Sequence, residues 1–354
     1  MKKKMMALVL AVVMSASATA CGSSTGTTET KGEKTEDAAS EEGTVVVAQA
    51  MPTLNNPWYV QFANGSKDMA EKLGIKFSQV TNPGDSEWDP EAQIGIIENL
   101  IATEPDVIEI DPTSTDGINT AIEEAATMGI TVVTSGSRTS SEHVSCSITA
   151  DNYQGGVSCG KEMVKLLNGA GKIIVLDATP GRDVMDARVK GFKDGIADSQ
   201  IEIVAEQCGN STREEALTVM ENLLQANPDI DAVWAANDEM ALGAVEALRS
   251  VGKVGQVIVG GFDATEDATN SIQAGEMTYT IDQIPYEEGV RAIAISFMLA
   301  KGLDIPDEDI ELPMTEASVV DPNTVDAFVN DKDSINAETL DSVIEAYGLT
   351  DYVK

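Results

Sequence analysis

Short apolar runs alternate with longer amphipathic stretches from residue 44 to about residue 281 of the chain. The runs of four to six apolar residues are too short for buried helices and predict buried strands. Between them the apolar residues recur at helical spacing, as in the stretch 90–102, which Asp89 caps and Pro90 begins. Buried strands separated by helices are typical of parallel sheets that are covered on both faces. The pattern therefore predicts an α/β fold.

The predicted elements fall into two series. The first has strands at 45–48, 75–80, 107–110 and 131–134, with helices at 58–73, 90–102 and 117–128. The second begins after Asp151 and has strands at 172–176, 201–205, 232–235, 257–260 and 278–281, separated by helices. This is more than one doubly wound sheet usually needs, so we expect two Rossmann-like lobes with parallel sheets joined by a hinge. A single TIM barrel is the alternative architecture.

The first 21 residues read as an export signal. Lys2 to Lys4 precede a ten-residue apolar core, which is too short to span a bilayer, and small residues lead to Cys21. Residues 1–20 are therefore predicted to be a signal peptide. Small residues before a cysteine resemble a bacterial lipobox, with Ala18 in place of the usual aliphatic residue, so we expect Cys21 to be lipidated. Ordinary cleavage after Ala20, which would leave Cys21 as a free thiol, is the alternative.

Residues 21–43 are predicted to be a disordered tether that follows the lipidated cysteine. From residue 22 this stretch has no large apolar side chain and cannot offset the entropy of folding. Together with the leader, the tether indicates a protein anchored by lipid to the extracytoplasmic face of a bacterial cell membrane.

Charge excludes one class of partner. The 354 residues include 59 acidic and 23 basic side chains, and from Cys21 onward 20 basic residues against 59 acidic ones leave −39. This field repels phosphate backbones, so we expect no nucleic-acid partner. The acidic surface is interpreted as solubilising, with docking of a protein partner as the alternative.

The sequence gives little support to catalysis, and we predict no catalytic residue, metal or cofactor. The single histidine, His143, lies in a polar stretch, and no nucleophile elbow or metal-binding cluster is present. Residues 155–162 mimic a phosphate-binding loop, but Glu162 stands where that loop needs Ser or Thr, so the glycines are expected to serve helix packing. The pairing state of Cys146, Cys159 and Cys208 cannot be deduced, and buried free thiols are expected.

Polar and aromatic residues follow the predicted strands, where ligands bind in open α/β sheets. Sugar hydroxyls need carboxylate and amide acceptors and guanidinium or amide donors, while the C–H face of the ring stacks on aromatic side chains. The candidate segments are residues 53–59, Arg188, and residues 237–243, 262–263 and 282–285. A small polyhydroxylated ligand in a cleft between the lobes is therefore predicted.

Structural roles compete with binding at several of these positions. Trp58, Tyr59 and Phe262 could belong to the core, Arg188 could face solvent, and Asn237 could cap the helix that follows it. Trp234, inside a strand, is interpreted as a core residue.

Six segments in order resemble the type I periplasmic sugar-binding family, the ribose-binding-protein-like substrate-binding proteins of ABC transporters. They are residues 54–57, 151–156, 220–224, 237–243, 260–263 and 280–285. The resemblance implies ligand contacts at Asn56, Trp58, Tyr59, Arg188, Asn237, Asp263 and Gln283, with Phe262 beside them, and lobe crossings near 150–151, 283–284 and 312–315. It also implies an N-terminal lobe of 44–150 plus 284–312 and a C-terminal lobe of 151–283 plus 313–330, with 331–354 as a C-terminal extension.

The sequence departs from this family's pattern at two places. The family's Asp–Arg pair after the fourth strand is replaced by Gly136 and Ser137, with Arg138 one position late, and a family aromatic is replaced by Ser211. The ribose-specific set is incomplete, which favours a larger or differently substituted sugar or a polyol. Trp88, Ser137 and Arg138 are further possible ligand contacts.

The resemblance implies a binding protein that delivers a monosaccharide or polyol to the permease subunits of an ABC importer, and we expect a monomer. The sequence leaves open a membrane-tethered sugar sensor that uses the same cleft. A secreted hydrolase or isomerase is a third possibility, whereas the leader and the charge argue against a repressor.

Overall fold

The computed structural model describes residues 43–178 and 180–354, except the side chain of Asp85. The predicted signal peptide, the lipidated Cys21 and residues 21–42 of the tether lie outside these described residues.

Helices and strands alternate along most of the described chain. The helices are α1 (Pro57–Leu73), α2 (Pro90–Ile101), α3 (Asn119–Thr127), α4 (Asn152–Leu166), α5 (Asp183–Ile196), α6 (Arg213–Ala226), α7 (Asp238–Ser250), α8 (Glu266–Gln273), α9 (Pro285–Ala300) and α10 (Val325–Ala346). The strands are β1 (Val46–Met51), β2 (Lys76–Thr81), β3 (Val107–Ile110), β4 (Thr131–Ser135), β5 (Cys146–Ala150), β6 (Ala170–Asp177), β7 (Gln200–Cys208), β8 (Ala232–Ala235), β9 (Ile258–Gly260), β10 (Thr280–Ile281), β11 (Asp309–Leu312) and β12 (Val319–Val320).

Lobe one is built around a six-stranded parallel sheet with the strand order β11-β5-β4-β3-β1-β2. The central strand β3 is buried along its whole length, including Glu109. The strand β2 at the edge alternates exposed and half-buried residues. Helices α1 and α9 pack on this sheet together, and Gly65 and Gly289 let the two helix backbones approach closely.

Lobe two is built around a four-stranded parallel sheet with the order β7-β6-β8-β9. Single parallel bridges, Gly260 to Tyr279 and Asp263 to Asp282, continue the sheet beyond β9. Two separate open sheets rule out the TIM barrel, and the predicted two-lobed α/β fold is confirmed.

Four strands differ from the sequence predictions, since β12 was not predicted either. β5 and β11 were not predicted, because the polar residues in Cys-Ser-Ile-Thr-Ala and Asp-Ile-Glu-Leu leave no continuous apolar run. The strand predicted at 278–281 is reduced to β10, which pairs antiparallel with β12 rather than joining a parallel ladder.

The chain passes between the two sheets three times, namely between β5 and α4, between β10 and α9, and after β11. The exact limits of the lobes stay a prediction, but the limit at 330/331 falls inside α10. Val325 at the start of this helix joins the core of lobe two, whereas Leu340, Val343 and Ile344 join the core of lobe one. Residues 331–354 thus contribute apolar side chains to the core of lobe one, and their assignment as a C-terminal extension stays a prediction.

Several predicted core features are present. Trp234 is completely buried and stacks on Phe192 with ring centres 4.0 Å apart, which confirms its core assignment. Cys146 and Cys159 are buried free thiols, while Cys208 is also unpaired but only half-buried. Within residues 43–178 and 180–354, no helix is long and apolar enough to cross a membrane. In the same ranges, no group of three or more His, Cys, Asp or Glu side chains is arranged to hold a metal ion.

Candidate ligand-binding cleft

Side chains from both lobes line a cleft that holds about 380 Å³ of space, including its open mouth. The lining residues come from the carboxyl ends of strands or the first turns of the helices that follow. They are Asn56, Trp58, Tyr59, Trp88, Asp111, Gly136, Arg182, Val184, Met185, Arg188, Ser211, Asn237, Asp263 and Gln283.

Aromatic side chains form the wall contributed by lobe one. The Trp58 ring stacks on Phe62 at 5.5 Å and meets Tyr59 edge-on at 4.8 Å. Trp88, from the loop before α2, lies 6.0 Å from Tyr59. Asn56 caps α1 by accepting a 2.9 Å hydrogen bond from the Trp58 amide, which fixes the first turn that carries these rings. The wall presents apolar faces of the kind that stack on the C–H face of a sugar.

Arg188 is the centre of the wall contributed by lobe two. Its guanidinium donates to the Asn152 side chain at 2.7 Å, to the Ala236 carbonyl at 2.9 Å and to Gln283 at 2.7 Å. It also pairs with Asp263 at 3.2 Å. Burial lowers the pKa of Arg188, and the charge of Asp263 partly offsets that effect. The network holds one guanidinium in a fixed orientation at the cleft.

Asp263 is held in an unfavourable backbone conformation with φ of 122°. Its carboxylate accepts hydrogen bonds from Arg188 and from the Gln283 amide. Burial raises the pKa of Asp263, and Arg188 opposes the shift. A strained residue held by an ion pair is typical of functional sites, where the surroundings stabilise what the local chain disfavours.

A second ion pair joins the two lobes. Arg182, the residue before α5, donates to Asp111 at the end of β3 over 3.1 Å and to the Ser137 hydroxyl over 2.7 Å. The Arg182 guanidinium also lies 4.9 Å from the centre of the Trp88 ring. Burial raises the pKa of Asp111 to about 6, and the charge of Arg182 opposes that shift.

Two further carboxyls are buried behind this pair. Glu288 of α9 accepts a 2.7 Å hydrogen bond from the Gly136 amide, and Glu109 of β3 accepts one from the Ser135 hydroxyl. Burial raises the pKa of each to about 8. These acids contribute little negative charge to the cleft at neutral pH, and the two arginines balance the two aspartates.

The structure brings most of the predicted contacts to this cleft. Asn237 lines the cleft and also caps α7 by accepting from the Met240 amide at 2.9 Å, so capping and lining coexist. Trp58, Tyr59 and Arg188 lie at the cleft with the largest part of each side chain buried. Trp88, which was predicted only as a further possible contact, lines the cleft too.

Three predicted contacts lie elsewhere. Phe262 is completely buried and lies under the Arg188 guanidinium, so it supports that side chain instead of lining the cleft. Ser137 is buried behind Arg182. Arg138 turns its guanidinium toward Asp309 and Glu311 of β11, because these carboxylates attract it to the edge of the sheet.

Asp111 and Arg182 are the polar residues that the sequence analysis missed. Asp111 follows β3 directly, so the same search at strand ends could have found it. Arg182 stands five residues after β6, and its partner Asp111 is 71 residues away, which no local pattern reveals. Val184 and Met185 of the first turn of α5 complete the lining.

Two α/β lobes that enclose such a cleft define the class of two-lobed, extracytoplasmic solute-binding proteins. The model of the periplasmic binding protein domain matches residues 47–304 of the chain. The ribose import binding protein of Bacillus subtilis is 37% identical over 239 residues, which are 68% of this chain and 76% of that protein. The ribose import binding protein of Salmonella typhimurium is 32% identical over 256 residues, or 72% of this chain and 85% of that protein.

Solved structures of solute-binding proteins are also similar to this chain. An ABC transporter solute-binding protein of Actinobacillus succinogenes with bound D-allose has a TM-score of 0.75 and 28% identity, over 80% of this chain and 100% of that one. A Bacillus halodurans relative with bound myo-inositol has a TM-score of 0.73 and 27% identity, over 82% and 99% of the two chains. The chain belongs to the type I periplasmic sugar-binding protein family. The members of this family named here are transporter components, which confirms the prediction of a binding protein instead of an enzyme.

Proposed function

We propose that the chain captures a neutral monosaccharide, a pentose or hexose, or a polyol in the interlobe cleft and delivers it to an ABC importer. The observation that carries this proposal is the lining of the cleft, in which aromatic faces stand beside two Arg–Asp pairs whose charges balance. A neutral polyhydroxylated molecule matches such a lining, because each hydroxyl both donates and accepts hydrogen bonds.

Within this proposal, Arg188 and Asp263 bind hydroxyl groups, since they are charged, oriented by neighbours and positioned at the cleft. Trp58 and Tyr59 stack on the ring, and Asn56, Asn237 and Gln283 supply amide groups. Relatives named as binding ribose, D-allose and myo-inositol support this ligand class.

A thermal-shift screen of the protein with pentoses, hexoses, polyols and inositols tests the ligand class. A true ligand raises the melting temperature by mass action, and calorimetry on each hit gives the dissociation constant. We expect at least one sugar or polyol to bind with a dissociation constant of about 1 μM, which corresponds to roughly −8 kcal/mol. If no carbohydrate stabilises the protein while an amino acid or a nucleoside does, the proposed ligand class is wrong.

We also propose that the protein works as a monomer anchored through a lipid on Cys21 at the extracytoplasmic face of the cell membrane. The leader 1–20 and the small residues before Cys21 support the anchor. Metabolic labelling with a clickable fatty acid should mark the wild-type chain and leave Cys21→Ser unlabelled. Release of unlabelled wild-type protein into the medium would contradict this part of the proposal. Light scattering on the detergent-solubilised protein would contradict the monomer if it gave a dimer mass after subtraction of the detergent.

A further inference from the structure

Arg182 belongs to lobe two by its place in the chain, but its side chain is bound by lobe one. Its three side-chain hydrogen-bond partners are Asp111 at 3.1 Å, Ser137 at 2.7 Å and Tyr59 at 3.5 Å, and all three lie in lobe one. Arg182 is 8% exposed and Asp111 1%. We call these four residues the interlobe clamp.

Backbone contacts extend the interlobe clamp on one side. The Thr115 amide donates to the Gly181 carbonyl at 3.0 Å, and the Asp183 amide donates to the Thr115 hydroxyl at 3.1 Å. The Arg138 amide donates to the Asp183 carboxylate at 3.2 Å. The first turn of α5 is therefore docked directly on the loops that follow β3 and β4.

The other arginine of the cleft makes no such connection. The partners of Arg188 are Asn152, Ala236 and Asp263 of lobe two, and Gln283 where the chain crosses. Arg188 therefore keeps its network when the lobes separate, whereas Arg182 must release all of its partners.

Gly136, which follows β4, leaves room for the Arg182–Asp111 ion pair. A side chain at position 136 would overlap the Asp111 carboxylate, and the φ of 69° at Gly136 is a left-handed conformation that favours glycine. The absence of a side chain at Gly136 thus leaves room for the Asp111 carboxylate of the neighbouring strand, and Arg182 supplies its counter-charge from the opposite lobe.

The stability of the Arg182–Asp111 ion pair depends on whether the two lobes are closed. In separated lobes both charges would be hydrated, whereas in the closed form both are buried and neutralise each other. Removing one partner leaves an unpaired buried charge in the closed form only, which is strongly unfavourable. Removing both charges leaves a neutral contact of similar shape, which is much less unfavourable.

We propose that Arg182 is a positioning residue that holds the two lobes closed over the bound ligand through Asp111, and so sets the rate at which the ligand leaves. This inference rests on the proposed function, because it needs a ligand over which the lobes close. Arg182 lines the cleft as Arg188 does, but within this proposal it acts on the ligand through the interlobe clamp, whereas Arg188 binds the ligand.

The test measures binding kinetics of the full chain by stopped-flow tryptophan fluorescence, since Trp58 and Trp88 line the cleft. The probes are D-ribose, D-allose, L-arabinose, D-galactose and myo-inositol, and the one that most stabilises the wild-type protein is used for all variants. The variants are Arg182→Gln, Asp111→Asn and the double variant. Arg249→Gln is the matched control, because this arginine is half-exposed on α7 and pairs with Glu276.

We expect each single variant to raise the dissociation rate at least about tenfold with little change in the association rate. The double variant should dissociate more slowly than either single variant, and Arg249→Gln should match the wild type. Two results would overturn the inference and leave the proposed function standing. One is an unchanged dissociation rate in the single variants, and the other is a double variant whose dissociation rate rises by the product of the two single increases. If no probe binds the wild-type protein, the proposed function fails for these sugars, and the inference fails with it.

Discussion

The guanidinium carbon of Arg188 lies 4.1 Å from the centre of the Phe262 ring, which is completely buried beneath it. A cation above an aromatic face is attracted by the electrons of the ring, most strongly when both are removed from water. Phe262 thus supports the flat face of the guanidinium while Asn152, Asp263 and Gln283 fix its edges. The orientation of Arg188 at the cleft depends on a residue that the ligand is not expected to touch.

The first prediction concerns this support. Phe262→Leu removes the aromatic face and should weaken sugar binding roughly 5- to 30-fold, from about 1–2 kcal/mol of cation–π attraction. Phe297→Leu is the control, because Phe297 is buried to a similar extent in the core of lobe one and does not line the cleft. Calorimetry should show that both variants lose stability but that only Phe262→Leu loses affinity. Equal affinity in the two variants would mean that the ring does not position Arg188.

The second prediction concerns the buried carboxyls Glu109 and Glu288. Burial raises their pKa from 4.5 to about 8, so the folded protein holds protons that the unfolded chain releases. Between about pH 4.5 and 8 the folded state binds more protons, and the free energy of unfolding must therefore fall as the pH rises. Denaturant unfolding at pH 5 and pH 8 should show a protein that is more stable at pH 5.

Glu109→Gln separates this effect from the overall negative charge. The variant should be more stable than the wild type by roughly 4 kcal/mol at pH 8 and by less than about 1 kcal/mol at pH 5, because one pKa unit corresponds to about 1.4 kcal/mol. Glu98→Gln removes the same charge from an exposed position of α2 and should change little at either pH. A pH dependence that survives unchanged in Glu109→Gln would show that this carboxyl is not its source.

The sequence predicted what local patterns can encode. Apolar runs located the buried strands, and the rule that ligands bind beyond strand ends located Asn56, Asn237 and Asp263. The direction of a long side chain is decided by partners far away in sequence. Arg138 binds carboxylates that are 171 and 173 residues away in sequence, at the edge of lobe one. Arg182 binds a carboxylate that is 71 residues away in sequence and lies across the cleft. Such partners become neighbours only when the fold is complete, so the pairing of charges could not be read from the sequence.

The third prediction concerns the last residues of the chain. Leu349 is completely buried in the core of lobe one, so Leu349→Ala should reduce the free energy of unfolding by about 2–5 kcal/mol. Ile335→Ala, at a position of α10 that is 49% exposed, should stay within about 0.5 kcal/mol of the wild type. Denaturant midpoints measure both. Sugar affinity should be unchanged in each variant, and a negligible effect of Leu349→Ala would mean that the C-terminal segment is a dispensable extension after all.

The fourth prediction concerns the packing of α4 on α5, because α5 carries Arg188. A methyl group added at Gly156 would lie 2.2 Å from the Arg188 carbonyl oxygen and 2.8 Å from the Phe192 amide nitrogen, so it would overlap backbone atoms of α5. Gly156→Ala must push the two helices apart, and we expect it to lower stability by about 1–3 kcal/mol and to weaken sugar binding, since Arg188 moves with its helix.

Gly95→Ala is the control for this substitution. Gly95 lies inside α2, and an added methyl group there would have no atom within 4 Å. The change should therefore stabilise the protein by about 0.4–1 kcal/mol, because alanine lowers the conformational entropy of the unfolded chain. Thermal unfolding and calorimetry on the two variants compare the same chemical change with opposite expected signs. Equal stability and equal sugar affinity in Gly156→Ala and Gly95→Ala would contradict this prediction. In that case the helices could separate without moving the guanidinium, and the close approach of α4 and α5 would not position Arg188.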